Sequence, residues 1–278
     1  RLDKIVLKKL GLENKTEVKL ENWKRFLNGL QNPKQKITIG LVGKYVELQD
    51  AYKSISESII HAGAKNSCKV DVDWIHAEEI NDSNVTEKLA KLKGVIVAPG
   101  FGDRGVEGKI STIKYLRENN IPFFGICLGM QSAVIEYSRN VLGLKDANST
   151  EMNPNTSSPV IDLMEEQKEV TKKGGTMRLG AYDCHLSEGS NAHNSYKKSA
   201  ISERHRHRFE FNNNYKKELE KAGFVATGIN QKNNLVEIIE IPNHPWFVGV
   251  QFHPEYKSTV ANPHPLFCGF IDACITNK

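Results

Sequence analysis

Between Lys36 and Asn140 the chain alternates two kinds of segment, and that alternation restricts the fold more than any other feature. Short runs that are almost wholly apolar stand at 37–43 (ITIGLVG), 94–98 (GVIVA) and 122–126 (PFFGI). Between and after them lie stretches with apolar residues at helical spacing, at 51–63, 85–93, 106–119 and 128–139. A further strand is expected at 70–75. A strand that is apolar on both faces has to be covered on both faces, so the pattern predicts a parallel sheet sandwiched between helices. Asp50 reads as the cap of the 51–63 helix and Gly63 as its stop. The second half is richer in strands, expected at 177–185, 224–229, 235–241 and 247–252, with helices near 213–222 and within 264–276. The fold class expected is α/β, with a mostly parallel central sheet flanked by helices.

Residues 1–35 do not share this rhythm. Leu2, Ile5, Val6, Leu10 and Leu12 suggest one short amphipathic helix, and Leu20, Trp23, Phe26, Leu27 and Leu30 a second, stopped by Gly29 and the Asn32-Pro33 pair. No sheet can be built from this segment, so it reads as a connector docked on a domain spanning 36–278. The start, Arg1-Leu2-Asp3-Lys4, carries neither Met nor an apolar leader and is expected to be the cut edge of something longer. Residues 147–159 read as a loop, and 186–200 as a polar excursion from the sheet.

Composition narrows the function classes. With 278 residues, 39% hydrophobic and 26% charged, the chain is neither disordered nor collagen-like and can bury an α/β core without disulfides. A net charge of +5 permits an anionic substrate or nucleotide without demanding nucleic acid. Five cysteines, an odd number with no C-x-x-C, point to a reducing, cytoplasmic setting with at most one reactive thiol. No apolar run approaches the about 20 residues of a membrane span. His205 and His207 form H-x-H but lack further ligands at convincing spacing, so no metal is expected.

The strongest local signal is Gly125-Ile126-Cys127-Leu128-Gly129, placed where a buried strand meets a helix. G-x-C-x-G is the thiol counterpart of the G-x-S-x-G elbow, in which glycines permit a sharp turn that lifts the nucleophile above the carboxyl edge of the sheet. A helix N-terminus beside the sulfur favours the reactive thiolate. Alone, the motif fits a buried structural cysteine equally well. The second signal is Gly249-Val250-Gln251-Phe252-His253-Pro254-Glu255, a buried strand running out into a His, a Pro and an acid. If both strands are parallel, His253 and Cys127 leave the sheet on the same side, where open α/β folds bind ligands. Glu255 can then orient the imidazole, and the pair of motifs favours a Cys127–His253–Glu255 triad over a simple strand-ending turn. Ala98-Pro99-Gly100-Phe101-Gly102-Asp103-Arg104-Gly105, directly after a core strand, can turn a backbone N–H into the cleft, to pair with the N–H after Cys127 as an oxyanion hole. It is not a P-loop. Its charged continuation through Glu107 and Lys109 suggests an added anion or nucleotide contact. In Glu203-Arg204-His205-Arg206-His207-Arg208-Phe209-Glu210, residues 204, 206 and 208 would share a strand face, so an Arg could be aimed at a substrate carboxylate.

Taken together, the glycine loop, 125–131 and 250–255 resemble the class I, triad-type glutamine amidotransferases, which have a flavodoxin-like fold. Leu41–Tyr45, Ser138–Asn140, Asp146–Glu151, Gly174–Gly180 and Arg204–Glu210 further resemble the CTP synthase family, from about residue 36 to the end. The resemblance makes residues 1–35 the tail of a synthetase domain plus linker. It implies Cys127 as nucleophile, His253 as general base and acid, Glu255 as orienting carboxylate, and the N–H groups of Gly100 and Leu128 as oxyanion hole. Phe101, Gln131, Glu151 and Arg208 would hold glutamine, with Arg208 on the α-carboxylate and Glu151 on the α-ammonium. Arg104, Gly105 and Glu107 would belong to a loop through which GTP activates the glutaminase. The partners implied are L-glutamine and the synthetase domain, where ATP and magnesium convert UTP to CTP, in a homotetramer without nucleic acid or membrane. No cofactor is implied in the glutaminase domain itself. One departure stands out, because Pro99 occupies a position where the family has glycine, removing a donor and stiffening the loop.

Two other readings are weighed against this one. Another enzyme of the same fold, such as the glutaminase of GMP synthetase or a γ-glutamyl hydrolase, fits less well with Glu151 in NSTE and with RHRHRFE. An RNA-binding module using the basic run fits less well with its interleaved histidines and flanking acids.

Overall fold

A computed structural model describes residues 2–12, 19–163 and 177–277; the Gly174–Thr176 part of one motif above lies outside them. Twelve strands are described: β1 (Gln35–Gly43), β2 (Cys68–His76), β3 (Val95–Val97), β4 (Phe123–Ile126), β5 (Ala147–Ser149), β6 (Ser158–Asp162), β7 (Arg178–Leu186), β8 (Ala200–His207), β9 (Glu210–Phe211), β10 (Val225–Asn230), β11 (Leu235–Glu240) and β12 (Phe247–Val250). The helices described are α1 (Leu2–Lys9), α2 (Glu21–Gln31), α3 (Lys53–Lys65), α4 (Val85–Leu89), α5 (Val106–Glu118), α6 (Leu128–Asn140), α7 (Asn191–Tyr196), α8 (Lys216–Lys221) and α9 (Pro265–Thr276).

Nine strands form one sheet in the order β2-β1-β3-β4-β12-β11-β10-β7-β8. Its first five strands are mutually parallel, as the uninterrupted apolar runs require, and the other four continue it antiparallel. Side chains alternate faces along each strand, so adjacent β4 phenylalanines serve different layers. Phe123 meets Phe247 at 4.3 Å in the layer with α5 and α6, and Phe124 meets Phe267 edge-on at 5.2 Å in the layer with α3 and α9. β4 lies between β3 and β12, and both neighbours run parallel to it. Whatever follows β4 and β12 therefore emerges at one edge.

Several local expectations change in the tertiary context. The 51–63 helix begins instead with a 3-10 turn at Gln49–Tyr52 and has no side-chain cap. Gly63 does not end it; a Cβ there would stand 2.8 Å from the Cys68 carbonyl, so the glycine lets α3 lie against β2. Parts of 147–159 are β5 and β6, which form a small sheet with β9 over α6. Segment 186–200 contains α7, capped by Ser190 and anchored where the Asn191 and Ala192 N–H groups donate to the Glu240 carboxylate. α2 docks on α3 through Gly29, whose missing Cβ would overlap the Ala64 carbonyl at 2.1 Å, while α1 buries no residue. Among the described residues no helix is long and apolar enough to cross a membrane.

Candidate active site

Cys127 sits between β4 and α6 with φ 52° and ψ −102°. A non-glycine residue at such angles carries roughly 1–3 kcal/mol of backbone strain, held by the surrounding packing. The packing is supplied by the flanking glycines. A Cβ on Gly129 would stand 2.2 Å from the Val97 carbonyl oxygen, and one on Gly125 would stand 2.5 Å from the Phe123 ring. The Cys127 N–H donates to Val250 O at 2.7 Å, tying the elbow to β12.

His253 leaves β12 at the same edge, and its N–H donates to Arg204 O at 2.8 Å. Its Nδ1 lies 2.8 Å from Glu255 Oε1. A carboxylate accepts, so Nδ1 carries the proton and Nε2 is the free face of the ring. Burial by itself would lower the imidazole's pKa, but the Cys127 sulfur and the Glu255 carboxylate outweigh it and raise the value. The Tyr256 ring stacks on the imidazole at 5.1 Å. Cys127, His253 and Glu255 are 4%, 5% and 5% exposed, so their charges interact with little water between them.

Gly100 packs against the first turn of α6; a Cβ there would lie 3.3 Å from Leu128 Cδ2. The glycine loop is pinned on three sides. Glu151 Oε1 accepts from the Gly102 N–H at 3.0 Å, Lys44 Nζ donates to the Phe101 carbonyl, and Lys109 Nζ donates to Ala98 O at 2.6 Å. Lys109 is fully buried, and burial together with the charge of Lys44 brings its pKa down to about 7. The Phe101 ring is 74% exposed at the tip of the loop.

The residues expected around glutamine fall into two groups. Phe101 lies on the glycine loop, and Glu151 is bonded to it. Gln131, on α6, donates from Nε2 to the Phe209 carbonyl at 3.0 Å, and Arg208 is the half-buried residue before it. Arg208 lies past the end of β8, so it is not bound by that strand's alternation; Arg204 and Arg206 face solvent, and His205 and His207 face inward. The shared strand face expected for 204, 206 and 208 therefore extends only to 204 and 206, since β8 ends at His207. Arg104 pairs with Glu78 at 3.3 Å and covers the Tyr45 ring, Gly105 takes φ 76° at the start of α5, and Glu107 pairs with Arg139 at 2.9 Å.

Several buried polar residues near the site escaped the sequence reading. Gln251, with no exposure, directs Nε2 toward Cys127 Sγ at 3.7 Å. Behind it, Arg178 bridges Glu237 at 2.8 Å and Glu210 at 3.2 Å. Burial raises Glu210 to about 8 against the pull of Arg178, and burial with neighbouring positive charge lowers His205 to about 2 and His207 to about 3. The available signal was a glutamine directly after one apolar strand, at 251, and a glutamate between the apolar residues of another, at 237.

The family model for glutamine amidotransferase class-I matches residues 47–273. The chain belongs to the class I glutamine amidotransferase family. A CTP synthase of Flavobacterium johnsoniae is 62% identical over 274 residues, 99% of this chain, and one of Christiangramia forsetii is 63% identical over 272 residues, 98% of it. The chain spans about half the length of these curated relatives, 51% and 50%. Among solved structures, the Trypanosoma brucei CTPS glutaminase domain with bound acivicin matches with a TM-score of 0.82 and 36% identity, covering 87% of this chain and 95% of that one. A putative GMP synthase protein from Thermoplasma acidophilum, at 17% identity and a TM-score of 0.55, shares the fold; the match covers 86% of this chain and 94% of that one. This amidotransferase chain thus has the α/β architecture of a CTP synthase glutaminase domain.

Proposed function

We propose that this chain hydrolyses L-glutamine to glutamate and ammonia through Cys127, His253 and Glu255. The observation that carries the reading is the strained Cys127 elbow after β4, with the His253–Glu255 pair leaving the adjacent parallel strand beside it. The Cys127 sulfur attacks the side-chain amide carbon, and the N–H groups of Gly100 and Leu128 stabilise the resulting oxyanion. Losing one such donor costs about 3–4 kcal/mol. Imidazolium His253 protonates the departing ammonia. The neutral ring then takes a proton from water, whose oxygen attacks the glutamyl thioester and releases glutamate. The raised pKa of His253 supplies the proton needed for the first departure.

Phe101, Gln131, Glu151 and Arg208 hold glutamine in this reading. Both hydrogens of the Gln131 amide are already directed to Phe209 O and Gln251 Oε1, so Gln131 can only accept from the substrate, through Oε1. Residues 1–35 serve as the tail of a synthetase domain and its linker, and 36–278 as the glutaminase. Ammonia passes to that synthetase domain, where ATP and magnesium drive conversion of UTP to CTP, GTP acts through Arg104, Gly105 and Glu107, and the whole enzyme is a cytoplasmic homotetramer. The family relationship and the half-length coverage of the CTP synthases support this assignment.

Glutamate release measured with Cys127→Ala and Cys127→Ser tests the reading; both should abolish it without loss of fold. A glutamine-like diazoketone should label Cys127 alone, because burial pushes up the thiols of Cys68, Cys184, Cys268 and Cys274. Label on any of those four, or an active Cys127→Ala variant, removes the triad assignment.

A further inference from the structure

We infer that Gln251 is an additional catalytic residue, the hydrogen-bond donor that receives the Cys127 sulfur when it leaves as thiolate during thioester hydrolysis. The inference rests on the glutaminase reading above.

The orientation of the amide can be worked out without seeing a hydrogen. The Phe209 carbonyl can only accept, so the Gln131 side chain must turn its nitrogen toward it, at 3.0 Å. That same nitrogen has one more hydrogen, and 3.2 Å away is Gln251 Oε1. Gln251 therefore presents oxygen to Gln131 and nitrogen to its other neighbour, Cys127 Sγ at 3.7 Å. The chain extends outward in the same way. His207 Nδ1 lies 3.2 Å from the same carbonyl and must donate, which makes Nε2 an acceptor for His205 Nδ1 at 2.8 Å. Both rings are neutral because burial and the charge of Arg178 hold their pKa values low. Gln131 and Gln251 are almost without exposure, at 3% and 0%. Neither amide can turn over without leaving a buried donor or acceptor unpaired.

The chemistry decides which step such a donor serves. In acylation, charge flows from sulfur to the oxyanion, so a donor on sulfur loses part of its interaction on the way to the transition state and gives no acceleration. Deacylation reverses the flow. Water forms a C–O bond and gives its proton to His253, and the tetrahedral intermediate collapses. The C–S bond breaks with both electrons going to sulfur. His253, now carrying the water's proton, faces the departing sulfur as imidazolium, and the Gln251 N–H adds a second hydrogen bond that strengthens as the sulfur becomes negative. Hydrogen bonds to charged groups are worth enough to change a rate roughly 10–100-fold.

The test is steady-state glutamine hydrolysis by the full chain carrying Gln251→Leu or Gln251→Glu, with acid-quenched mass spectrometry of the glutamyl thioester on Cys127. Slower deacylation alone lowers kcat and KM together. The expected result is a kcat reduced about 10–100-fold, KM reduced in step, kcat/KM nearly unchanged, and thioester accumulating above the wild-type level. At saturating glutamine, Gln131→Leu, which frees the Gln251 amide to rotate, should also let the thioester accumulate, to a smaller extent. A fall in kcat/KM equal to the fall in kcat, with no thioester build-up in either Gln251 variant, overturns the role. Gln251→Glu keeps the length of the side chain and an oxygen facing Gln131, so it remains informative if the leucine variant fails to fold. Failure of the underlying reading looks different: wild type then forms no thioester, or Cys127→Ala still hydrolyses glutamine.

Discussion

Lys109 offers a quantitative test of how the glycine loop is held. Its ammonium lies fully buried, 2.6 Å from the Ala98 carbonyl, and its pKa falls from 10.5 to about 7 in the folded chain. The folded state therefore binds fewer protons than the unfolded state between those values, and the energetic penalty is largest at low pH and vanishes as pH rises through 10.5. By linkage the penalty is about 4 kcal/mol at pH 7, about 2 at pH 9 and about 1 at pH 10. Lys109→Met keeps the side chain's length and removes the penalty, but leaves the Ala98 carbonyl without its donor, at a cost of roughly 1–3 kcal/mol. The variant should be more stable than wild type by about 1–3 kcal/mol at pH 7, close to parity near pH 9, and less stable at pH 10. Urea unfolding of both proteins at three pH values reads the difference directly. A stability difference independent of pH would refute the reasoning, since it would mean that Lys109 is not buried as a perturbed base. Glutamate release should fall in the same variant, because the loop bearing Gly100 loses one of its three anchors.

Gly129→Ala should displace the elbow, because its Cβ would stand 2.2 Å from a backbone oxygen that cannot move away as a side chain could. A loss of at least about 1–3 kcal/mol is expected from the overpacking, with glutaminase activity falling further than stability; unchanged melting and turnover would contradict the contact. Arg178→Met should cost about 3–5 kcal/mol by stranding Glu210 and Glu237 without their cation. Glu210 already has a raised folded pKa, so its contribution is fully present below the unfolded value near 4.5 and is lost as pH rises through about 8. Without Arg178 that loss extends to higher pH, and thermal melts of the variant should fall more steeply than wild type between pH 7 and 9.

Much of the scaffold was legible because it depends on short-range patterning. The β3 and β4 runs are apolar at every position and could only be strands buried on both faces. Motifs at 125–129 and 249–255 named the sulfur, the ring and the acid, since each stands where an apolar run breaks. The strands β5 and β6 were unreadable for the opposite reason: one is only three residues long and the other carries a proline, and they exist through the β5-β6-β9 pairing and cover by α6, neither of which leaves a periodicity. The stop assigned to Gly63 failed likewise, since that glycine answers to a carbonyl on β2 and not to its own helix.

Residue order by itself determined the layered α/β plan and the identity of the groups at the end of β4 and β12, because apolar periodicity and strand-to-helix breaks are properties of neighbours along the chain. Which way Arg204 and His205 divide between solvent and interior, how Gln131 and Gln251 orient one another behind Cys127, and that Lys109 loses its water beneath the glycine loop were settled by the tertiary structure. Those arrangements join segments 120 residues apart in the case of the two glutamines. Hydrogen bonding and desolvation act through space, and strand register and helix placement must first bring such groups together.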